Sequence, residues 1–153
     1  MRMPQPNLAN LKNKLTEAGL KVTQQRLVIL KAMYMSEEHP SAETVFGMLA
    51  QENPSLSLGT VYKTLDALAE KGLIRKVFCA DGIKRFDIHT DPHAHLYCKT
   101  SDKILDFEDE NLESMIRQYL AEKKFQNFAI EDIQLQITGR ILDPQKSVHY
   151  VNS

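Results

Sequence analysis

Apolar residues recur at helical spacing through the first seventy positions of this 153-residue chain. Leu8, Leu11, Leu15 and Ala18 form the first stripe, and Gly19 ends it. Thr23 is placed to cap a second helix with Leu27, Leu30, Met33 and Tyr34 on one face. Ser41, after His39-Pro40, caps a third with Val45, Met48 and Leu49 inside, and Asn53-Pro54-Ser55 breaks it. Ser57 caps a fourth, whose buried face is Val61, Leu65 and Leu68 and whose stop is Gly72.

The period then changes. Leu73 to Cys79, the turn Ala80-Asp81-Gly82 and Ile83 to Ile88 predict a hairpin. His89 to Pro92 is a linker, and His95 to Lys99 and Ile104 to Phe107 are further strands. A helix carrying Leu112, Met115, Ile116 and Leu120 follows. Ile133, Leu135 and Ile137 alternate with Gln134 and Gln136, as in a half-buried strand. The expected class is α+β: a winged helix-turn-helix lobe over residues 1–88, a linker over 89–92 and a small α/β lobe over 93–153.

Composition adds exclusions. A 42% hydrophobic, 25% charged chain with net charge −1 is ordinary globular usage and carries no uniformly basic coat. Its charge is uneven: residues 1–80 hold ten Lys/Arg against seven Asp/Glu, and residues 81–153 hold nine against thirteen. That asymmetry suggests a front half facing nucleic acid. Two cysteines, Cys79 and Cys98, argue against a disulfide scaffold. No apolar run nears the roughly 20 residues of a membrane span, so a cytoplasmic protein is expected.

Third helix, break, fourth helix and hairpin follow winged-helix order, which makes the fourth helix the candidate reader of a major groove. Opposite its apolar stripe lie Gly59, Thr60, Tyr62, Lys63 and Thr64, with Lys76, Lys84 and Arg85 in the wing as phosphate contacts. The plainer alternative is an amphipathic helix with a solvated face. Further on, His93-Ala94-His95 places two imidazoles on one side of an extended segment, so both can converge on a metal. Asp87, Asp106 and the distant His39 would complete an N/O site suited to Fe(II), Mn(II), Co(II) or Zn(II). Each has a bland alternative: His39 as a loop residue, the histidine pair as exposed strand residues, and the aspartates as partners of Arg85 and Lys103. His89 and His149 are read as non-ligands.

The set Ser57-Leu58-Gly59-Thr60-Val61-Tyr62-Lys63-Thr64-Leu65, Gly72-Leu73-Ile74, Arg85-Phe86-Asp87, His93-Ala94-His95-Leu96-Tyr97-Cys98 and Ile104-Leu105-Asp106-Phe107 resembles the ferric uptake regulator (Fur) family. The resemblance runs from about Leu15 to Gly139. It implies a dimeric, metal-dependent repressor of palindromic double-stranded operator DNA, not an enzyme, with His39, Asp87, His93, His95 and Asp106 on regulatory-metal positions. Fe(II) or Mn(II) is the implied ion, with Zn(II) as a substitute. Asp106, where iron-supply sensors more usually carry Glu, is similar to the peroxide regulator (PerR) branch, and implies oxidation of His39 and His93 by peroxide. Two departures stand out. Ser101 replaces the second thiol of a Cys-x-x-Cys pair, and Thr138 to Pro144 contains no cysteine, so a four-thiolate structural zinc is excluded within one chain. Pro92 and Ala94 occupy positions where some relatives place further ligands. Competing functions are an iron- or manganese-responsive repressor without peroxide sensing, a small metalloenzyme, and a winged-helix protein that binds DNA without metal.

Overall fold

Side-chain caps set the helix starts. In the computed structural model, which describes residues 4–151, Asn7 accepts from the Asn10 amide at the head of α1 (Leu8–Glu17). Thr23, Ser41 and Ser57 do the same for α2 (Gln24–Met35), α3 (Ala42–Leu49) and α4 (Leu58–Glu70). Gly19 and Gly72, at φ +74° and +75°, turn the chain out of α1 and α4 in the left-handed conformation that glycine adopts without steric cost.

After Gly72, Leu73 still donates to the Leu68 carbonyl as part of the helix stop. The first strand of the hairpin is therefore shorter than the expected Leu73–Cys79: β1 spans Arg75–Phe78. Its antiparallel partner β2 is Lys84–Asp87, because the Ile83 amide is engaged by the Asp81 side chain in the turn. β3 (Ala94–Cys98) and β4 (Ile104–Phe107) form a second antiparallel pair. α5 (Glu110–Ala121) follows, and β5 (Gln136–Gly139) returns parallel to β3, giving the order β4-β3-β5. Ladder pairing starts at Gln136, so Ile133 and Leu135 precede the strand instead of lying within it. The fold is α+β.

The chain divides into two units between Thr90 and Asp91. The first is built on a core of Leu11, Leu15, Leu27, Leu30, Val45, Val61, Leu65, Leu68 and Phe86, all less than a tenth exposed. Met48, expected inside, is 46% exposed. In the second, Ala94, Tyr97, Cys98 and Ile104 are buried, but no residue of α5 is. Among the described residues no helix is long and apolar enough to cross a membrane.

Candidate metal centre and nucleic-acid interface

In the first unit, β2 is extended by the loop before α3. The Phe86 amide donates to the Pro40 carbonyl at 3.0 Å, and Arg85 bridges Ser41. With Phe86 fixed in the core, its neighbour Asp87 is brought level with His39, the residue before Pro40. His39 Nε2 lies 3.2 Å from Asp87 Oδ2. Asp87 is 3% exposed, and its other oxygen accepts from the His89 backbone at 2.8 Å, which fixes the carboxylate plane.

In the second unit the β3–β4 register sets His95 directly opposite Asp106. His93, two residues earlier, projects to the same side; the two rings stand 4.6 Å apart. Asp106 Oδ1 lies 3.2 Å from His93 Nε2 and 3.6 Å from His95 Nε2. Both histidines are less than a tenth exposed. His93 Nδ1 is 2.7 Å from the Asp91 carbonyl, an acceptor only, so Nδ1 carries the proton and donates. Nε2 then faces a carboxylate oxygen, where either a second proton on the ring or a metal cation satisfies both atoms. The pair and the triad each offer the imidazole and carboxylate donors that divalent first-row ions take.

The structure thus places the five expected ligand residues as a pair, His39 with Asp87, and a triad, His93 and His95 with Asp106. Arg85 does not pair with Asp87; it meets Asp81 at 2.7 Å. His89 Nδ1 lies 3.4 Å from Asp87, and His149 is exposed. The outer contacts from the Asp91 carbonyl and the His89 amide left no mark in the sequence, because any residue type supplies them.

On α4, Gly59 and Lys63 are exposed and Thr60 and Tyr62 half-buried. A side chain at Gly59 would meet only the Ser57 hydroxyl, at 3.9 Å, so packing within the chain does not demand glycine there. Thr64 is only 7% exposed and belongs to the core side of α4, which removes it from the expected contact face. The Tyr62 hydroxyl donates to Glu43 of α3. That bond holds the Glu43 carboxyl below its ordinary range and raises the tyrosine. Lys76 and Lys84, expected at phosphates, both reach Asp66 of α4, at 3.1 and 3.0 Å. Partial burial pushes the Asp66 carboxyl up, but hydrogen bonds from Lys84 and Lys76 outweigh it and leave the group below its ordinary value. Glu43 and Asp66 were not singled out from sequence. Their only local signal was position on α3 and α4.

The model of the ferric uptake regulator family matches residues 17–138. The peroxide-responsive repressor PerR of Staphylococcus aureus (strain Mu50) is 32% identical over 103 residues, covering 67% of this chain and 70% of that protein. The Vibrio cholerae ferric uptake regulator superposes with a TM-score of 0.70 at 28% identity, over 85% of this chain and 98% of that one. The Pseudomonas aeruginosa ferric uptake regulator, solved with manganese, gives 0.72 at 27%, over 87% and 98%. This chain belongs to the ferric uptake regulator family of metal-responsive DNA-binding repressors.

Proposed function

We propose that this protein is a homodimeric repressor that grips a palindromic duplex when Fe(II) or Mn(II), with Zn(II) as a substitute, is held by His39, Asp87, His93, His95 and Asp106, and that peroxide releases it. The observation that carries this reading is the triad on the β3–β4 hairpin, where one short carboxylate, Asp106, serves two imidazoles. The 32% identity to a peroxide-responsive repressor supports the same assignment.

Ligands from a DNA-binding lobe (1–88) and from a sensing and dimerisation lobe (93–153), joined by a linker (89–92), couple ion binding to the spacing of two reading helices. Those helices address half-sites about one helical turn, ~34 Å, apart or a multiple of it. Gly59, Thr60, Tyr62 and Lys63 supply the contact face. Ion binding favours the conformer whose spacing fits the duplex. Fe(II), when held there, would supply the electron that cleaves the peroxide O–O bond beside the imidazoles, one oxygen ending on a ring carbon and the other in water. His39 and His93 are the rings that take up oxygen; an oxidised imidazole is a weaker donor, so the ligand set opens and the operator is released.

The test uses protein loaded anaerobically with Fe(II), then exposed to mild peroxide. Mass spectrometry is expected to show one added oxygen on peptides carrying His39 or His93, together with lost duplex binding; the Mn(II)-loaded protein stays unmodified and bound. Unmodified histidines with undiminished binding would refute peroxide sensing and leave an iron- or manganese-responsive repressor, the reading favoured by the manganese-bound Pseudomonas aeruginosa neighbour. Equal duplex affinity with and without chelator would refute metal gating.

A further inference from the structure

We propose that Asp66 is a positioning residue for DNA recognition: its carboxylate ties the β1–β2 hairpin to α4 through Lys76 and Lys84 and withholds both cations from non-specific phosphate contact. This rests on the DNA-binding reading above.

Hairpin register is the first support. Lys76 lies opposite Phe86, and Phe78 opposite Lys84. Side chains alternate along a strand, so Lys76, Lys84 and Phe86 share one face of the hairpin. Phe86 is 0% exposed and Phe78, on the same face, 63%, so it is the part of that face around Phe86 that is covered. Both ammonium groups then converge on a single oxygen, Asp66 Oδ1, at 3.1 and 3.0 Å. Lys84 is further held with its nitrogen 5.8 Å from the centre of the Phe86 ring. Lys63 is exposed one turn before Asp66 on α4.

Magnitude decides what the contact is for. Ion pairs this exposed contribute little to stability. Placement and charge are the larger consequences. Two lysines and one carboxylate sum to a single positive charge, and the lysines repel each other once the carboxylate is gone. Each lysine released to a phosphate adds about 0.9 to the salt dependence of binding. Freed lysines favour every duplex alike, so affinity rises and discrimination falls.

The experiment uses the full-length, Mn(II)-loaded protein, a duplex selected by the wild type from a randomised pool, and a scrambled duplex of equal length. Asp66→Asn, with its fold checked by circular dichroism, is expected to bind the scrambled duplex about tenfold more tightly at low salt. Its salt slope should steepen by up to ~1.8, and the selected-to-scrambled ratio should fall. The same substitution in a Lys76→Gln/Lys84→Gln background should change neither. Independently, Lys76→Gln/Lys84→Gln alone should alter the wild-type slope by less than ~0.9, because those lysines are already engaged. A folded Asp66→Asn protein with unchanged slope and ratio would overturn the proposal, as would an equal effect in the lysine-free background. A loss of ~1.8 in slope from the lysine pair alone would also overturn it. Wild-type protein that retains no duplex from the pool overturns the DNA-binding reading itself, and this proposal with it.

Discussion

The two units of this chain bury their side chains to different degrees. In the first, helices α1 to α4 and Phe86 of β2 close over one cluster, and Leu15, Ile29, Leu30, Leu65 and Phe86 are wholly inside. In the second, the amphipathic helix α5 leaves Met115 at 67% and Tyr119 at 60% exposure, and Phe128 is similarly open. Most residues of the first unit's apolar stripes find their cover within the same chain, Leu8 and Met48 being exposed. The second has apolar area to spare, which is the character of a surface that a second copy covers. One lobe covers most of its own apolar stripes and the other leaves its helix face open, in keeping with the proposed homodimer.

The strongest test of that contrast is a truncation on each side. Phe86→Ala should destabilise the first unit by about 3–5 kcal/mol, through lost burial and a residual cavity. Denaturant unfolding measures it, and a cost under about 1 kcal/mol would mean the cluster is not closed. Tyr119→Ala should change the unfolding free energy of dilute protein by less than about 0.5 kcal/mol. It should instead raise the dimer dissociation constant about tenfold, a loss of about 1.4 kcal/mol, read by sedimentation. An unaltered dissociation constant would move the dimer contact away from α5.

The smallest effect is a pH dependence in the second unit. Hydroxyls of Ser101 and Thr100 and the Ile141 amide donate to the Cys98 sulfur and bring its thiol down to about 6. Because the folded value lies below the ordinary 9.0, the stabilisation is complete above that ordinary value. It falls away as pH drops through about 6. Thiolate absorbance in a Cys79→Ser variant should titrate with a midpoint near 6. A midpoint near that of a free thiol would show that these donors do not reach the sulfur in solution.

The same contrast governs what could be read before the structure. Helix positions in the first unit were legible because their signals are local: Thr23, Ser41 and Ser57 each cap through an amide three residues on. The His93 and His95 pairing with Asp106 was partly legible, since alternation along a strand puts both imidazoles on one side. Three features were not. Asp66 meets Lys76 and Lys84 only after the hairpin folds back on α4. Thr64 is buried because the core side of α4 is wider than the stripe of Val61, Leu65 and Leu68. The parallel pairing of β5 with β3 has no signature in either strand.

That parallel pairing has a kinetic consequence. It joins His95–Cys98 to Gln136–Gly139 across the whole of α5, whereas β3 and β4 are linked by a short turn. Closing a long loop costs entropy before any contact rewards it, and such non-local pairings form slowly. Mutations in the β3–β4 hairpin should therefore act on early folding steps, and mutations in β5 mainly on the rate of unfolding. The strand carrying Asp106 is then in place beside its histidines while the sheet edge at β5 is still open.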